Sequence, residues 1–348
     1  IKSHVGEDVA LMAIVKADGY GHGAVTAAQT ALLNGASYLG VATLSEALSL
    51  REAGITAPIL VMTYVPSGSV RQVIRYNLTA SLYDLEQGHE FDRAAREFGE
   101  PVQVHVKIDT GMGRLGVLAD DVVPFFRHLK SLQFINIEGI FTHFSVADED
   151  IDYTRQQVEK FKSQVLFPLR AAGMRFKYVH AANSAGIFGD SENWFNMVRA
   201  GIALYGLRPA QHILLPEGMK PALSWKTTVV QVKDLPPNHP VGYGNTYITR
   251  GRERIAIIPV GYADGLRRSP QTWREVLIHG QRAPLVGRVS MEKCAINVSH
   301  IPDVSIGDEV VLIGAQGNDE ITADEVAEWL GTINYEVVTT IAPRLPRH

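Results

Sequence analysis

The 348-residue sequence contains a single cysteine, Cys294, so it can form neither an internal disulfide nor a thiolate metal cluster, and we expect no metal site. This scarcity is typical of a reducing compartment, and we expect a cytoplasmic location. Positive charge is not in excess, since 33 Lys and Arg residues face 37 Asp and Glu residues. A nucleic-acid partner is therefore not expected. No apolar run approaches the roughly 20 residues of a membrane span and no secretory signal opens the chain, so we expect no membrane partner.

What is present is the composition of a soluble globular protein, with 46% hydrophobic and 20% charged residues. Short apolar runs alternate with stretches of helical period up to about residue 207. The eight candidate strands are Val9–Val15, Tyr38–Ala42, Ile59–Met62, Thr79–Tyr83, Val102–Ile108, Ile135–Phe141, Tyr178–Ala181 and Met197–Arg199. Helical spacing is seen in Ala24, Ala27, Ala28 and Ala31, in Phe91, Ala94, Ala95 and Phe98, and in Val158, Phe161, Val165 and Leu169. This alternation predicts an α/β fold, a parallel (β/α)₈ TIM-type barrel.

The rhythm changes near Pro221. The stretches "LSWKTTVVQVKDL", "RIAIIPVGYADG", "EVLIHGQRAPLVGRVSMEKCAINV" and "GDEVVLIG" are separated by Pro, Gly and Asn turns and predict an all-β domain. Within it, "ITADEVAEWLG" predicts a short helix with a threonine N-cap. We therefore predict a barrel domain over residues 1–221 and a C-terminal β domain over residues 222–348. In the barrel, "NSAGIFGDSENWF" is short for a full helix, so the seventh connection is the least regular.

Polar residues recur where the predicted barrel strands end, which is where such barrels carry their chemistry. They are Lys16, Lys107, Arg114, His143, His180, Asn183, Ser184 and Arg199. Taken singly, a strand-end lysine is usually a surface group and a histidine is usually a hydrogen-bonding residue of the core. Their repetition at one end of one barrel favours an active site.

The stretch "IVKADGYGHG" places Lys16 directly after an apolar strand and before three glycines. A lysine at a barrel mouth among apolar walls loses its proton more readily than one in water. A neutral amine can form a Schiff base with an aldehyde. The turns "NSAG" and "RAGIALYG" offer backbone N–H groups and a serine, as phosphate-binding turns do. A lysine beside a phosphate site points to a phosphate-bearing aldehyde, and pyridoxal 5'-phosphate (PLP) is the common one.

Eight motifs occur in a fixed order along the chain: "VKADGYGHG", "KIDTGMGRLG", "THF", "HAANSA", "VRAGIALYG", "VGYADG", "GRVSME" and "NYEV". Together they resemble the motif set of the alanine racemases, fold-type III PLP-dependent enzymes. The resemblance covers essentially the whole chain. It implies interconversion of L-alanine and D-alanine, which supplies D-alanine for peptidoglycan, and a head-to-tail homodimer with shared active sites.

The resemblance also implies roles for individual residues. Lys16 resembles the lysine that binds PLP covalently and acts as one base. Tyr262 resembles the second base, contributed by the partner subunit. Because racemisation removes a proton from one face and returns one to the other, two flanking groups are chemically reasonable.

Further residues are assigned in the same way. Arg199 resembles the arginine that faces the pyridine nitrogen, and Arg114 the arginine that contacts the cofactor's phenolic oxygen and the substrate carboxylate. Met291 resembles the residue whose backbone N–H binds that carboxylate, and Lys107 a lysine that is carbamylated in several family members. The cofactor-binding set is completed by Tyr20, His143, Asn183, Ser184, Gly201, Ile202 and Tyr335. His143 also resembles the histidine that bonds the catalytic tyrosine.

Some alternatives remain open at this point. They are a serine or broad-specificity racemase, a decarboxylase of the same fold type, a non-catalytic PLP-binding protein and a barrel without cofactor. "GYADG" and "GRVSM" argue against a decarboxylase, and Lys107 with Tyr335 favours alanine over serine. Two departures from the family pattern are expected to matter. The chain looks trimmed at both ends, and Glu292 stands where aspartate is common.

Overall fold

The computed structural model describes residues 1–348, which divide into two compact units. The first comprises Ile1–Gly19 and Ala24–Met219, and the second comprises Tyr20–Gly23 and Lys220–His348. None of the helices combines the length and apolar character that crossing a bilayer requires.

The first unit is a closed barrel of parallel strands. These are β1 (Ala10–Ile14), β2 (Tyr38–Val41), β3 (Ile59–Val61), β4 (Thr79–Leu82), β5 (Val102–Asp109), β6 (Ile135–Phe141), β7 (Tyr178–His180) and β8 (Met197–Ala200). Their order is β4-β3-β2-β1-β8-β7-β6-β5, and the pairing of β4 with β5 closes the barrel. A two-residue strand, Val117–Leu118, also pairs with β5. The predicted (β/α)₈ barrel is confirmed, and each strand bound lies within one residue of its prediction.

Helices connect the strands on the outside of the barrel. They are Ala24–Leu33, Leu44–Glu52, Val70–Arg75, Leu85–Phe98, Val122–Leu129, Ile151–Lys160 with its continuations Phe161–Leu166 and Phe167–Ala171, and Ser184–Ile187, while Lys2–Val5 precedes β1. The predicted apolar face of Val158, Phe161, Val165 and Leu169 is buried, although the helix widens to π geometry over Phe161–Leu166. The connection after β7 has no full helix, as its short sequence predicted, and consists of the helical turn Ser184–Ile187 and the 3-10 turn Ser191–Asn193.

Alternation along β5 explains how the barrel carries a site. Val104, Val106 and Ile108 belong to the main apolar core cluster. Because successive side chains of a strand point to opposite faces, His105 and Lys107 are directed into the barrel interior. Both are buried. The interior is therefore polar in part, where barrels of this type usually stack branched apolar residues.

The second unit is built on an antiparallel sheet. Its strands are β9 (Trp225–Thr228), β10 (Gln231–Leu235), β11 (Glu253–Ile258), β12 (Glu275–Ile278), β13 (Gln281–Val286), β14 (Cys294–Asn297), β15 (Glu309–Gln316) and β16 (Asp319–Ile321). The order is β9-β15-β12-β13-β14-β11-β10, with β16 paired to β15. A separate two-stranded pair joins Pro240–Val241 to Tyr247–Ile248. Helices Ala323–Leu330 and Asn334–Thr339 follow the sheet.

One period-two stretch of the sequence is two strands in the structure. "LSWKTTVVQVKDL" breaks between β9 and β10, where the Val229 N–H bonds to Asp308 O and the Val230 N–H bonds to Ile257 O, both at 2.9 Å. Val229 thus bonds to the residue that precedes β15 and Val230 bonds to β11, and the alternating pattern cannot reveal that switch. The helix predicted from "ITADEVAEWLG" is confirmed: the Thr322 side chain accepts the Glu325 N–H, and Gly331 ends it with a φ of 65°.

Candidate active site

Lys16 lies two residues beyond β1, at the start of a left-handed turn. The φ angles of Ala17, Asp18, Gly19 and Tyr20 are 51°, 52°, 61° and 54°. L-residues avoid this region, so the turn needs external support. The Glu46 carboxylate supplies it by accepting the Ala17 N–H at 2.7 Å and the Ala42 N–H at 2.7 Å. One carboxylate therefore fixes the backbone beside Lys16 to the end of β2.

The surroundings of the Lys16 amine lower its pKa. Burial lowers the pKa of Lys16, the positive charge of Arg114 lowers it further, and Glu46 partly opposes both. A lowered pKa increases the fraction of neutral, nucleophilic amine at neutral pH.

Several cationic groups share this end of the barrel with Lys16. Burial, followed by the charges of Arg199, Arg114 and Lys16, lowers the pKa of Lys107 to about 8, against a weaker opposing effect of Asp109. Burial and these neighbouring cations also hold the pKa of His143 well below its usual value. The structure thus brings together five of the predicted residues, namely Lys16, Lys107, Arg114, His143 and Arg199. Their mutual repulsion indicates a site built for an anion.

Arg199 is the most constrained of these cations. Its side chain is 2% exposed. It donates to His180 Nδ1 at 2.9 Å, Thr142 O at 2.9 Å, Ala181 O at 2.8 Å and His143 Nδ1 at 3.1 Å. Burial lowers the pKa of Arg199 to about 9. Because every guanidinium N–H is a donor, His143 Nδ1 must be an acceptor, which leaves the proton of the neutral ring on Nε2.

The loops after β7 and β8 meet at Ser184. Its hydroxyl accepts the Gly201 N–H at 2.9 Å and the Ala203 N–H at 3.3 Å. Asn183 caps the adjacent helical turn by accepting the Gly186 N–H at 3.0 Å. Ile202 is fully buried beside these residues. This is where (β/α)₈ barrels often bind phosphate.

Two tyrosines of the predicted phosphate set lie together in the second unit. The ring centroids of Tyr20 and Tyr335 are 6.3 Å apart, and burial raises the pKa of Tyr20 to about 12. Arg347 donates to Gly21 O at 2.9 and 3.1 Å, and a Cβ atom at Gly21 would lie 2.1 Å from Val338 O. Glycine is therefore required for this close approach.

The loops that carry Tyr262 and Met291 are joined in the second unit. The Tyr262 N–H donates to Ser290 O at 3.0 Å, and the Ala263 N–H donates to Met291 O at 2.9 Å. Both side chains are exposed, Tyr262 by 44% and Met291 by 56%.

One guanidinium holds these two loops in place. Arg344 donates to Asp264 Oδ1 at 2.6 and 2.9 Å and to Glu292 Oε1 at 3.1 Å. Asp264 in turn accepts the Gly261 N–H at 2.9 Å. The glutamate that departs from the family pattern is thus the partner of a structural arginine.

Sequence reasoning passed over Tyr243, which the structure places near the same surface. It is 65% exposed, and the Arg268 guanidinium lies 6.0 Å from its ring centroid. Arg268 and Tyr262 also line one cavity of the second unit. The residues around Tyr243 have positive φ, with 75° at Gly242, 72° at Gly244 and 48° at Asn245. Glycine and asparagine adopt these angles readily, so "VGYGN" indicates a turn and carries no sign of the Arg268 contact.

Comparison with known proteins identifies the family of the chain. Residues 1–209 match the family model of the alanine racemase N-terminal domain, and residues 222–348 match that of the C-terminal domain. The alanine racemase of Symbiobacterium thermophilum is 47% identical over 338 residues, covering 97% of this chain and 89% of that protein. The crystal structure of the Bacillus anthracis alanine racemase with bound L-Ala-P has a TM-score of 0.92 and 40% identity, covering 99% of this chain and 88% of that chain. A histidine racemase from Leuconostoc mesenteroides has a TM-score of 0.91 at 28% identity, covering 100% of this chain and 92% of that chain. The chain therefore belongs to the alanine racemase family and is a racemase.

Proposed function

We propose that the protein interconverts L-alanine and D-alanine with PLP bound covalently at Lys16. The observation that carries this proposal is the cationic cluster of Lys16, Lys107, Arg114 and Arg199 at the C-terminal end of the barrel, with the pKa values of both lysines lowered. Such a cluster fits an anionic cofactor and a substrate carboxylate. D-alanine made in this way would supply peptidoglycan synthesis, and the single-cysteine composition supports a cytoplasmic setting.

The donors on each unit support PLP as the cofactor. The Ser184 hydroxyl accepts the Gly201 and Ala203 N–H groups, which leaves its own hydrogen to donate to a phosphate where barrels bind one. On the resemblance, we assign Gly201, Ile202, Tyr20 and Tyr335 to the same group. Arg199 cannot accept a hydrogen bond, so it would leave the pyridine nitrogen unprotonated. When bound, PLP withdraws electrons from the substrate and makes its Cα hydrogen acidic. Arg114 and the Met291 N–H would hold the substrate carboxylate.

Two bases on opposite faces of the substrate would move the proton. The neutral Lys16 amine serves one face. On the resemblance, Tyr262 of the partner subunit serves the other, which makes the enzyme a head-to-tail homodimer. We also propose a domain boundary between residues 221 and 222, which places Lys16 in the first domain and Tyr262 in the second.

A second tyrosine competes for this role. The Tyr243 side chain is exposed and its ring lies beside the Arg268 guanidinium, so its phenol is a second candidate on the surface that carries Tyr262. His143, with its proton on Nε2, could donate to whichever tyrosine is the base. The neighbouring cation is the specific observation in favour of Tyr243, and the resemblance favours Tyr262.

Lys107 is expected to carry a carbamate. With a pKa of about 8, roughly a tenth of its amines are neutral at pH 7, against fewer than about one in a thousand for an ordinary lysine. A neutral amine adds to CO₂ and releases a proton to solvent, and the resulting carbamate anion would relieve the repulsion from Arg114 and Arg199. Protein supplied with ¹³C-bicarbonate should show a carbamate carbon resonance that is missing from Lys107→Arg. Its absence from the wild-type protein would leave Lys107 as an ammonium and refute the modification.

Racemisation of the free amino acids tests the function itself. We expect kcat/KM for alanine to exceed that for serine and for histidine by about tenfold or more, because the identity is 47% to an alanine racemase and 28% to the histidine racemase. The measurement is loss of optical rotation or coupled oxidation of the D-product by the purified holoenzyme. A preference for histidine or serine would replace the proposed substrate, and no turnover with bound PLP would favour a binding protein.

A further inference from the structure

A line of buried polar side chains runs through the interior of the barrel away from Arg199. Arg199 donates to His180 Nδ1 at 2.9 Å, His180 Nε2 lies 2.9 Å from His105 Nδ1, and His105 Nε2 lies 3.3 Å from Glu138 Oε2. We refer to Arg199, His180, His105 and Glu138 as the barrel relay. Glu138 also bonds to residues at the N-terminal ends of the strands, accepting from Tyr38 at 3.0 Å and from Lys177 at 2.9 Å.

Arg199 and Glu138, at the two ends of the barrel relay, determine which ring nitrogens of His180 and His105 carry a proton. Arginine can only donate, so His180 Nδ1 accepts and the proton of the neutral ring is on Nε2. That proton is donated to His105 Nδ1, which leaves the His105 proton on Nε2 as well. Glu138 completes the sequence, because an ionised carboxylate can only accept. A single pair of tautomers therefore satisfies all three contacts.

Packing supports this orientation of both rings. His105 and His180 are fully buried, and the His180 ring stacks on Phe141 with centroids 4.9 Å apart and an interplanar angle of 2°. A Cβ atom at Gly139 would lie 2.8 Å from His105 Nε2. Gly139 is thus the residue that leaves room for the His105 ring.

The charges at the two ends complement each other. Arg199 is a buried cation, and none of its hydrogen-bond acceptors is a carboxylate. Burial lowers the pKa of both His105 and His180, which agrees with neutral rings. Burial works to raise the pKa of Glu138, but hydrogen bonds from His105, Lys177 and Tyr38 outweigh it and lower that pKa to about 2. Hydrogen bonds aligned between a cation and an anion polarise one another.

We propose that His105 and Glu138 are positioning residues for Arg199, acting through the His180 tautomer from the opposite end of the barrel. The proposal rests on the proposed function, in which Arg199 faces the cofactor ring. Neither residue touches the site itself. Their contribution is to hold the guanidinium in one orientation and to balance its charge.

The tautomers provide a test that needs no turnover. In ¹⁵N-histidine-labelled holoenzyme, His105 and His180 should both carry their proton on Nε2, as read from long-range ¹H–¹⁵N couplings. A proton on Nδ1 of either ring would overturn the proposal. Failure of the protein to bind PLP would refute the proposed function. The positioning proposal could still be tested in that case, because the histidine tautomers can be measured without the cofactor.

Substitution at Glu138 tests the consequence for catalysis. Glu138→Gln keeps an acceptor oxygen but removes the charge, and we expect kcat for alanine to fall about tenfold, with KM within about twofold and a shifted absorbance band of the bound cofactor. Lys177→Gln is the matched control, since it breaks the same surface ion pair and leaves the barrel relay intact. Unchanged kcat and absorbance in Glu138→Gln, or an equal loss in Lys177→Gln, would overturn the proposal. If Glu138→Gln does not fold, the wild-type tautomers decide the question, because they are read without any substitution.

Discussion

Lys16→Ala should abolish the absorbance band of the bound cofactor and reduce racemisation by on the order of 10³-fold or more. Two functions are lost together in this variant, namely the amine that binds PLP and the base for one face of the substrate. The barrel should still fold, because the left-handed turn is held by the Ala17 N–H on Glu46 and not by the lysine side chain. Absorbance spectra and borohydride reduction followed by peptide mass analysis measure the two losses.

Lys226→Ala is the matched control for this experiment. Lys226 is a strand lysine paired with Glu309 on the surface of the second unit. The Lys226→Ala protein should keep both the absorbance band of the cofactor and the activity. A Lys16→Ala protein that retained the same reducible covalent cofactor would show that another lysine holds PLP.

Mixing two inactive homodimers should restore activity. Lys16 is in the first unit and Tyr262 in the second, and the proposed head-to-tail dimer takes one base from each subunit. Lys16→Ala should lose activity on the order of 10³-fold or more, as above, and Tyr262→Phe on the order of 10²-fold or more. After subunit exchange, each heterodimer has one site with both defects and one intact site. Random pairing in equal amounts should therefore restore about a quarter of the wild-type sites.

Tyr243→Phe belongs in the same experiment. If Tyr243 is the base, its variant will be the inactive one that complements Lys16→Ala, and Tyr262→Phe will retain most of its activity. Exchange has to be verified with differently tagged subunits. Complete exchange without recovered activity for either tyrosine would place both bases in one subunit and refute the shared site.

The barrel was predictable because parallel strands are buried on both faces and read as short apolar runs between helices. Lys16 and Arg199 were predictable as site residues because each follows or ends such a run. The barrel relay was not, since His105 sits in an unremarkable β-strand pattern and its partners are 75 and 33 residues away in sequence. Tyr243 was missed for a different reason: its significance depends on the Arg268 side chain, which only the fold brings to its ring.

The turn after Lys16 has a stereochemical consequence. Ala17 has a φ of 51° and a ψ of 54°, angles that cost an L-residue roughly 1–2 kcal/mol and that a D-residue adopts without strain. Chemical ligation of D-alanine into position 17 should therefore relax the backbone and leave its hydrogen bond to Glu46 intact. Ala17 is thus an L-alanine in a backbone conformation that favours D-alanine. It lies next to the lysine that is proposed to interconvert the two enantiomers of the free amino acid.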